Sequence, residues 1–303
     1  MVQRVLIVGG SGLIGRALVE ELGGHGYEVV ILSRNPTKVG GLPAGVNVEK
    51  WDGRTTKGGG GLVQAGCAIV NLAGASIADQ RWTGTRKQVI VDSRVQAGQA
   101  VVDAVRQAGS KPAVIVQASA TGYYGPDGPF DKTEDSPPGS DFLSHVCVSW
   151  EASTAAVEVE RVRRVVVRTG FVLSDEGGAL PRLATPFRYF IGGPLGNGRQ
   201  WVPWIHIADE VGAIRFLIEN SEASGVFNLT APAPMTNLAL SRELGVALGR
   251  PSLMPVPSLA LRLIFGEMAD MLLSGQRAIP SRLLAAGYVF RFPELRPALL
   301  DLL

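Results

Sequence analysis

Ser144, His145, Cys147 and Ser149 crowd into one ten-residue stretch, FLSHVCVSWE at 142–151. These types could supply a nucleophile and a base, but such chemistry needs the base within hydrogen-bond reach of the nucleophile. Neighbours two apart on a helix do not face each other, so His145 and Cys147 cannot share a face. Leu143, Val146 and Trp150 instead have the spacing of a buried stripe. The stretch is therefore expected to be a structural helix. Elsewhere, two cysteines and three scattered histidines provide neither a disulfide framework nor zinc-ligand spacing.

Glycine spacing points to a different chemistry. In VLIVGGSGLIGRAL, Gly9, Gly12 and Gly15 recur every third position, directly after an apolar strand and at the start of a helix. Gly10, Gly12 and Gly15 also satisfy the second common dinucleotide spacing. One glycine allows a tight turn, one lets the backbone approach a pyrophosphate, and one permits close helix-to-strand packing, with helix N–H groups facing the phosphates. A dinucleotide site is expected here, with Ser11, Leu13 and Ile14 in the same loop as contacts. An NAD site usually places Asp or Glu about 20 residues further on, to hold the ribose hydroxyls. This chain has Ser33-Arg34-Asn35. Ser33 can donate a hydrogen bond and Arg34 can present a charged fork to a 2′-phosphate, so NADP is the expected cofactor.

Positioning these groups requires a scaffold. Apolar Val- and Ile-rich runs at 5–9, 29–33, 67–74, 113–120 and 164–170 alternate with helical spacing, for instance through Ile14, Ala17, Leu18 and Leu22. Strands apolar on both faces and joined by helices predict an α/β fold: a Rossmann-type doubly wound parallel sheet with a smaller C-terminal substrate lobe. The domain boundary is expected near 175, giving 1–175 as the nucleotide-binding domain, a return segment near 205–230, and 176–303 as the substrate lobe. Gly- and Trp-rich GGPLGNGRQWVPW at 192–204 suits a loop closing over a ligand. Arg199 and Gln200 would orient a substrate there beside Trp201 and Trp204, while His206 reads as a structural hydrogen-bonder. The alternative is that the tryptophans cement the two lobes.

Composition narrows the partners. With 46% hydrophobic residues and 29 basic against 27 acidic side chains, the chain has no electrostatic footprint for nucleic acid. A small-molecule substrate is expected, with no nucleic-acid or membrane partner. No signal-peptide pattern opens the chain and no apolar run approaches the roughly 20 residues that cross a bilayer, so a cytoplasmic protein is expected.

Several longer stretches carry a resemblance: GGSGLIGRAL, SRNP, NLAGASIADQRWT, VDSRV, SATGYYG, RTGFVL, GGPLGNGRQWVPWIHIAD and GQRAIPSRLLAAGYVFRFPEL. Together they resemble the extended short-chain dehydrogenase/reductase superfamily and, more narrowly, its atypical sugar-nucleotide epimerase-like branch. The resemblance implies that Leu72, Ala73 and Gly74 line the cofactor ribose, that Arg94 reaches towards the cofactor, and that Val172 offers backbone contacts near the nicotinamide. It also implies that a Ser, a Tyr and a Lys of the usual catalytic set are replaced, by Ala120, Leu143 and Cys147. Cys147 would then be a neutral wall. Substitute proton donors would be Tyr123 and Ser119, although a tyrosine with a pKa near 10 needs a cationic neighbour to serve as a base. Two functions stay open: an NADP-dependent oxidoreductase or epimerase on a small or nucleotide-linked substrate, and a non-catalytic NADP-binding sensor or regulator of the cell-division type. The resemblance also allows a homodimer.

Overall fold

The computed structural model describes residues 2–126, 128 and 130–303. Its first half alternates strand and helix: β1 (Arg4–Val8), α1 (Leu13–Gly24), β2 (Glu28–Ser33), β3 (Asn47–Lys50), β4 (Cys67–Asn71), α2 (Gly84–Gln107) and β5 (Val114–Ala120). After the short β6 (Asp131–Lys132) come α3 (Phe142–Ala152), β7 (Arg163–Thr169) and β8 (Phe171–Leu173). The chain then enters the second lobe through α4 (Leu180–Arg188) and β9 (Trp201–Val202). It returns through β10 (Trp204–His206), α5 (Ile207–Glu219) and β11 (Gly225–Leu229).

Seven strands form one sheet in the order β11-β7-β5-β4-β1-β2-β3, and every pairing in it is parallel. Side chains alternate across this sheet with period two. Val5 and Ile7 of β1 join a core containing Leu18 and Leu22 of α1 and Ile214 and Leu217 of α5. Leu6 and Val8 join the other face, with Val101 and Val105 of α2. Because strand order reverses between β1 and β4, their carboxyl ends flank the crevice where open α/β sheets bind ligands.

The second lobe adds β12 (Met235–Thr236), α6 (Asn237–Leu248), α7 (Ser258–Phe265), α8 (Asp270–Leu273), β13 (Arg277–Ala278), α9 (Ser281–Ala285) and α10 (Leu295–Leu302). It has its own core, built on Leu173, Phe187, Trp204, Leu240 and Leu299. The chain's last section does not stay within this lobe. Leu283, Tyr288 and Phe290 pack into the sheet's core instead. Asp209, buried at the start of α5, fixes that return by accepting from the backbone N–H groups of Arg291 (2.7 Å) and Phe292 (2.9 Å). Among the described residues, no helix is long and apolar enough to cross a membrane.

Candidate functional site

The turn between β1 and α1 is built so that only glycine fits at two places. Gly9 has φ 83°, and a Cβ there would stand 2.9 Å from the Leu72 carbonyl at the end of β4. A Cβ on Gly15 would lie 2.6 Å from the Cα of Gly10, so helix and turn meet backbone to backbone. Gly12 differs: its Cβ would find only the Gly9 carbonyl oxygen, at an ordinary 3.5 Å. Ser11, Leu13 and Ile14 complete the turn, and no side chain caps the helix that begins there. Its first N–H groups thus need an outside acceptor, as a phosphate-binding helix terminus would.

Ser33 ends β2 beside this turn, and Arg34 follows it, exposed and with no hydrogen-bond or ion-pair partner among the described residues. Across the crevice, Leu72, Ala73 and Gly74 leave β4 as a loop that α2 holds from beneath. Arg94 Nη1 donates to the Ala75 carbonyl (3.0 Å), and the Ala75 N–H donates to Ser93 Oγ (2.9 Å). The Arg94 guanidinium is so close that a Cβ on Gly74 would lie 2.9 Å from its Cζ. Burial pulls the Arg94 pKa down to about 10, which leaves it cationic at neutral pH. Val172 sits on β8 against the sheet's core, paired with Ile205.

Beyond the loop opens a cavity of about 610 Å³, between α2, α3 and the second lobe. Ala120, Leu143 and Cys147 all line it. Burial pushes the Cys147 thiol up to about 11 and nearby Glu151 adds to the rise, so it stays a neutral thiol. His145 is exposed on the far side of α3, which rules out a cysteine–histidine pair.

The substitute donors are placed differently from expectation. Neither Tyr123 nor Ser119 is among the residues lining the cavity. Ser119 Oγ donates to Glu151 Oε1 (2.6 Å), and Arg168 grips the same carboxylate through Nε (2.8 Å) and Nη2 (3.0 Å). Tyr123 does have a cationic neighbour, with Arg168 Cζ 3.3 Å from its ring centroid, but that cation covers the ring's face and not its hydroxyl. Both residues are therefore engaged in a buried ion-pair cluster. Tyr124 completes it, donating to Asn228 Oδ1 (2.6 Å), and burial pushes its phenol up to about 12.

The glycine-rich loop also divides its tasks unexpectedly. Positive φ at Gly196 and Gly198 bends it so that Gln200 and Trp201 line the cavity. Of the two expected orienting groups, Gln200 thus faces the cavity, while Arg199 is exposed and outside it. Trp204 is buried in the second lobe's core, with Nε1 donating to the Ala233 carbonyl (3.0 Å), and so acts as cement. His206 caps α5, its Nδ1 accepting from the Ala208 N–H (3.1 Å) while its ring stacks on Phe292. Sequence reasoning missed Trp82 and the Lys87–Glu267 ion pair, which also border the cavity. Lys87 and Glu267 lie too far apart in the chain for any local pattern to pair them.

Thr169, at the cavity's edge, donates to Glu210 Oε1 (2.7 Å), while Oε2 of this buried carboxyl has no partner among the described residues. Burial pushes the Glu210 pKa up to about 8, against a weaker opposing pull from Thr169. The folded protein thus holds a proton that the unfolded chain releases above about pH 4.3. Stability from this group is full below that pH and is lost as pH rises towards 8. Glu210→Gln should therefore lose less stability than the parent between about pH 5 and pH 8. Urea midpoints at the two pH values check this, and equal losses would count against a neutral Glu210.

Comparison with known proteins bears on the family and the fold. Residues 5–230 match the family described as NAD dependent epimerase/dehydratase, and residues 256–302 match a domain of unknown function, DUF1731. The mouse epimerase family protein SDR39U1 is 40% identical, over 98% of this chain and 99% of its own. The epimerase family protein SAR0825 of Staphylococcus aureus is 39% identical, over 99% of each. Among solved structures, human SDR39U1 (isoform 2) with NADPH superposes with a TM-score of 0.87 at 37% identity, covering 99% of this chain and 98% of that one. A nucleoside-diphosphate sugar epimerase from Corynebacterium glutamicum gives 0.78 at 31% identity, over 98% of this chain but 57% of its own.

Proposed function

Because the chain belongs to the NAD-dependent epimerase/dehydratase family, we propose that it binds NADP(H) across the ends of β1, β2 and β4 and acts as an oxidoreductase or epimerase on a small or nucleotide-linked substrate. The observation that carries the cofactor reading is Arg34, a cation unpaired among the described residues and beside a turn whose glycines leave room for a pyrophosphate. Gly9, Ser11, Gly12, Leu13, Ile14 and Gly15 would hold the pyrophosphate, and Ser33 and Arg34 the 2′-phosphate. Leu72, Ala73 and Gly74 would line the ribose, with Arg94 beneath them and Val172 near the nicotinamide. The NADPH in the human SDR39U1 structure supports this choice.

When bound, the nicotinamide supplies or takes up a hydride. The chain's own part is to shape the space beside it. Ala120, Leu143 and Cys147 form a wall that offers no acid or base near neutral pH, and Arg94 keeps a positive charge under the loop. Ser119 could move a proton only after leaving Glu151, and Tyr123 is held by its ring face over Arg168, outside the cavity lining. That neutral wall favours a second reading, in which the protein senses or regulates through NADP(H) without turnover. Both cysteines are free and buried, which suits a reducing compartment, and we place the protein in the cytoplasm.

Arg34→Ala should remove most of the preference for NADPH over NADH, roughly 1.5 to 3 kcal/mol for a charge-assisted contact. Fluorescence titration of both nucleotides against parent and variant measures it. An unchanged preference would show that another group reads the 2′-phosphate.

A further inference from the structure

The cavity beside the cofactor loop differs from what a phosphate-bearing ligand needs. Recognition of a diphosphate calls for arginine or lysine free to form charge-assisted hydrogen bonds. Two cations line this cavity, Lys87 and Arg94. Lys87 is paired with Glu267 and lies 5.1 Å from the Phe142 ring centroid. Arg94 is almost fully buried, stacked 4.7 Å from the Trp150 ring centroid and turned under Gly74. Asp141, which accepts from the Ser144 N–H, adds negative charge to the lining, while Asp270 is paired with Arg262. Most of the rest is apolar and aromatic, including Trp82, Phe142, Phe171, Trp201 and Met271.

Three side-chain polar atoms of the lining residues are buried with no partner among the described residues, Arg94 Nε, Trp150 Nε1 and Gln200 Oε1, and Gln200 Oε1 is the acceptor among them. Gln200 Nε2 donates to the Leu195 carbonyl (3.1 Å) and the Leu272 carbonyl (2.7 Å), which fixes the orientation of the amide. Its Oε1 is buried and has no partner among the described residues. A buried acceptor left in this state is unfavourable until a donor reaches it. Mostly apolar pockets of this size take small molecules and orient them with a few such groups.

We propose that the substrate site takes an uncharged, largely apolar molecule whose hydroxyl or N–H donates to Gln200 Oε1, and that it excludes nucleoside diphosphate sugars. This selects the small-molecule branch of the function proposed above and rests on that function. The apolar body packs among the aromatic rings, and the lone donor sets its orientation. A diphosphate entering the same space would lose its hydration, with Lys87 already paired to Glu267 and Arg94 stacked on Trp150 and turned under Gly74.

The test is calorimetric titration of the NADP-loaded protein with beta-naphthol, its methyl ether and UDP-glucose. Naphthol should bind about tenfold more tightly than the ether, which has the same rings but no donor, a gap of about 1.4 kcal/mol. In Gln200→Leu the two should bind alike, and Gln200→Met provides the same comparison should the leucine variant not fold. UDP-glucose should give no heat at millimolar concentration. UDP-glucose binding more tightly than naphthol, a gap that survives the Gln200 variants, or naphthol failing to bind would each overturn the proposal. NADPH titration comes first and separates the two claims. Failure there removes the cofactor reading, whereas NADPH binding with UDP-glucose in the cavity removes only this one.

Discussion

Gly12→Ala is expected to weaken NADPH binding on the order of 100-fold, about 2.8 kcal/mol, while leaving the thermal midpoint almost unchanged. The two effects separate because of where the new methyl would sit. In the free protein it meets only the Gly9 carbonyl oxygen, at 3.5 Å, so the fold accommodates it. With the cofactor bound, the same methyl would occupy the space through which the pyrophosphate approaches the uncapped start of α1. Gly15→Ala is the contrasting variant, since its Cβ would stand 2.6 Å from the Gly10 backbone and disturb the turn itself. Fluorescence titration and a melting curve on each protein suffice. If Gly12→Ala binds NADPH as the parent does, the turn is not the phosphate site.

Arg168→Leu should destabilise the fold by about 3 to 5 kcal/mol, the usual loss when one partner of a buried ion pair is removed. The Arg168 side chain is 4% exposed and that of Glu151 13%, so the carboxylate left behind could not recover its hydration. The variant also leaves the Tyr123 ring without its cover and removes a donor to Tyr124 Oη. Urea unfolding measures the change. Adding Glu151→Leu should restore part of it, because the second substitution removes the stranded charge. A single-variant loss below about 1 kcal/mol would contradict the burial of this pair.

Much of the scaffold was legible because its signals are local. Strands apolar on both faces, helices with one apolar stripe and a glycine fingerprint between the first strand and helix each lie within a short window, and the parallel sheet follows from them. The separation of His145 from Cys147 was readable for the same reason, since two residues on one helix have a known angle between them. What was not legible depends on long-range packing. Nothing in GRQW distinguishes the exposed Arg199 from the inward Gln200, because Gly196 and Gly198 set the loop's direction through backbone angles. Trp204 resembles Trp201 in the sequence, yet one is core and the other cavity wall. Tyr123 and Ser119 looked available because Arg168 and Glu151, which engage them, lie tens of residues away and meet only when α3 packs beside β7. The C-terminal return onto α5 was hidden likewise, since Asp209 gives no local sign that its partners are the N–H groups of Arg291 and Phe292.

The central claim is that the crevice at the ends of β1, β2 and β4 holds NADP(H) and reads its 2′-phosphate through Arg34. Calorimetric titration of the purified protein with NADPH and with NADH tests it most directly. One site per chain and at least tenfold tighter binding of NADPH, about 1.4 kcal/mol or more, are the expected results. Equal affinities, tighter binding of NADH, or no binding of either nucleotide would contradict it.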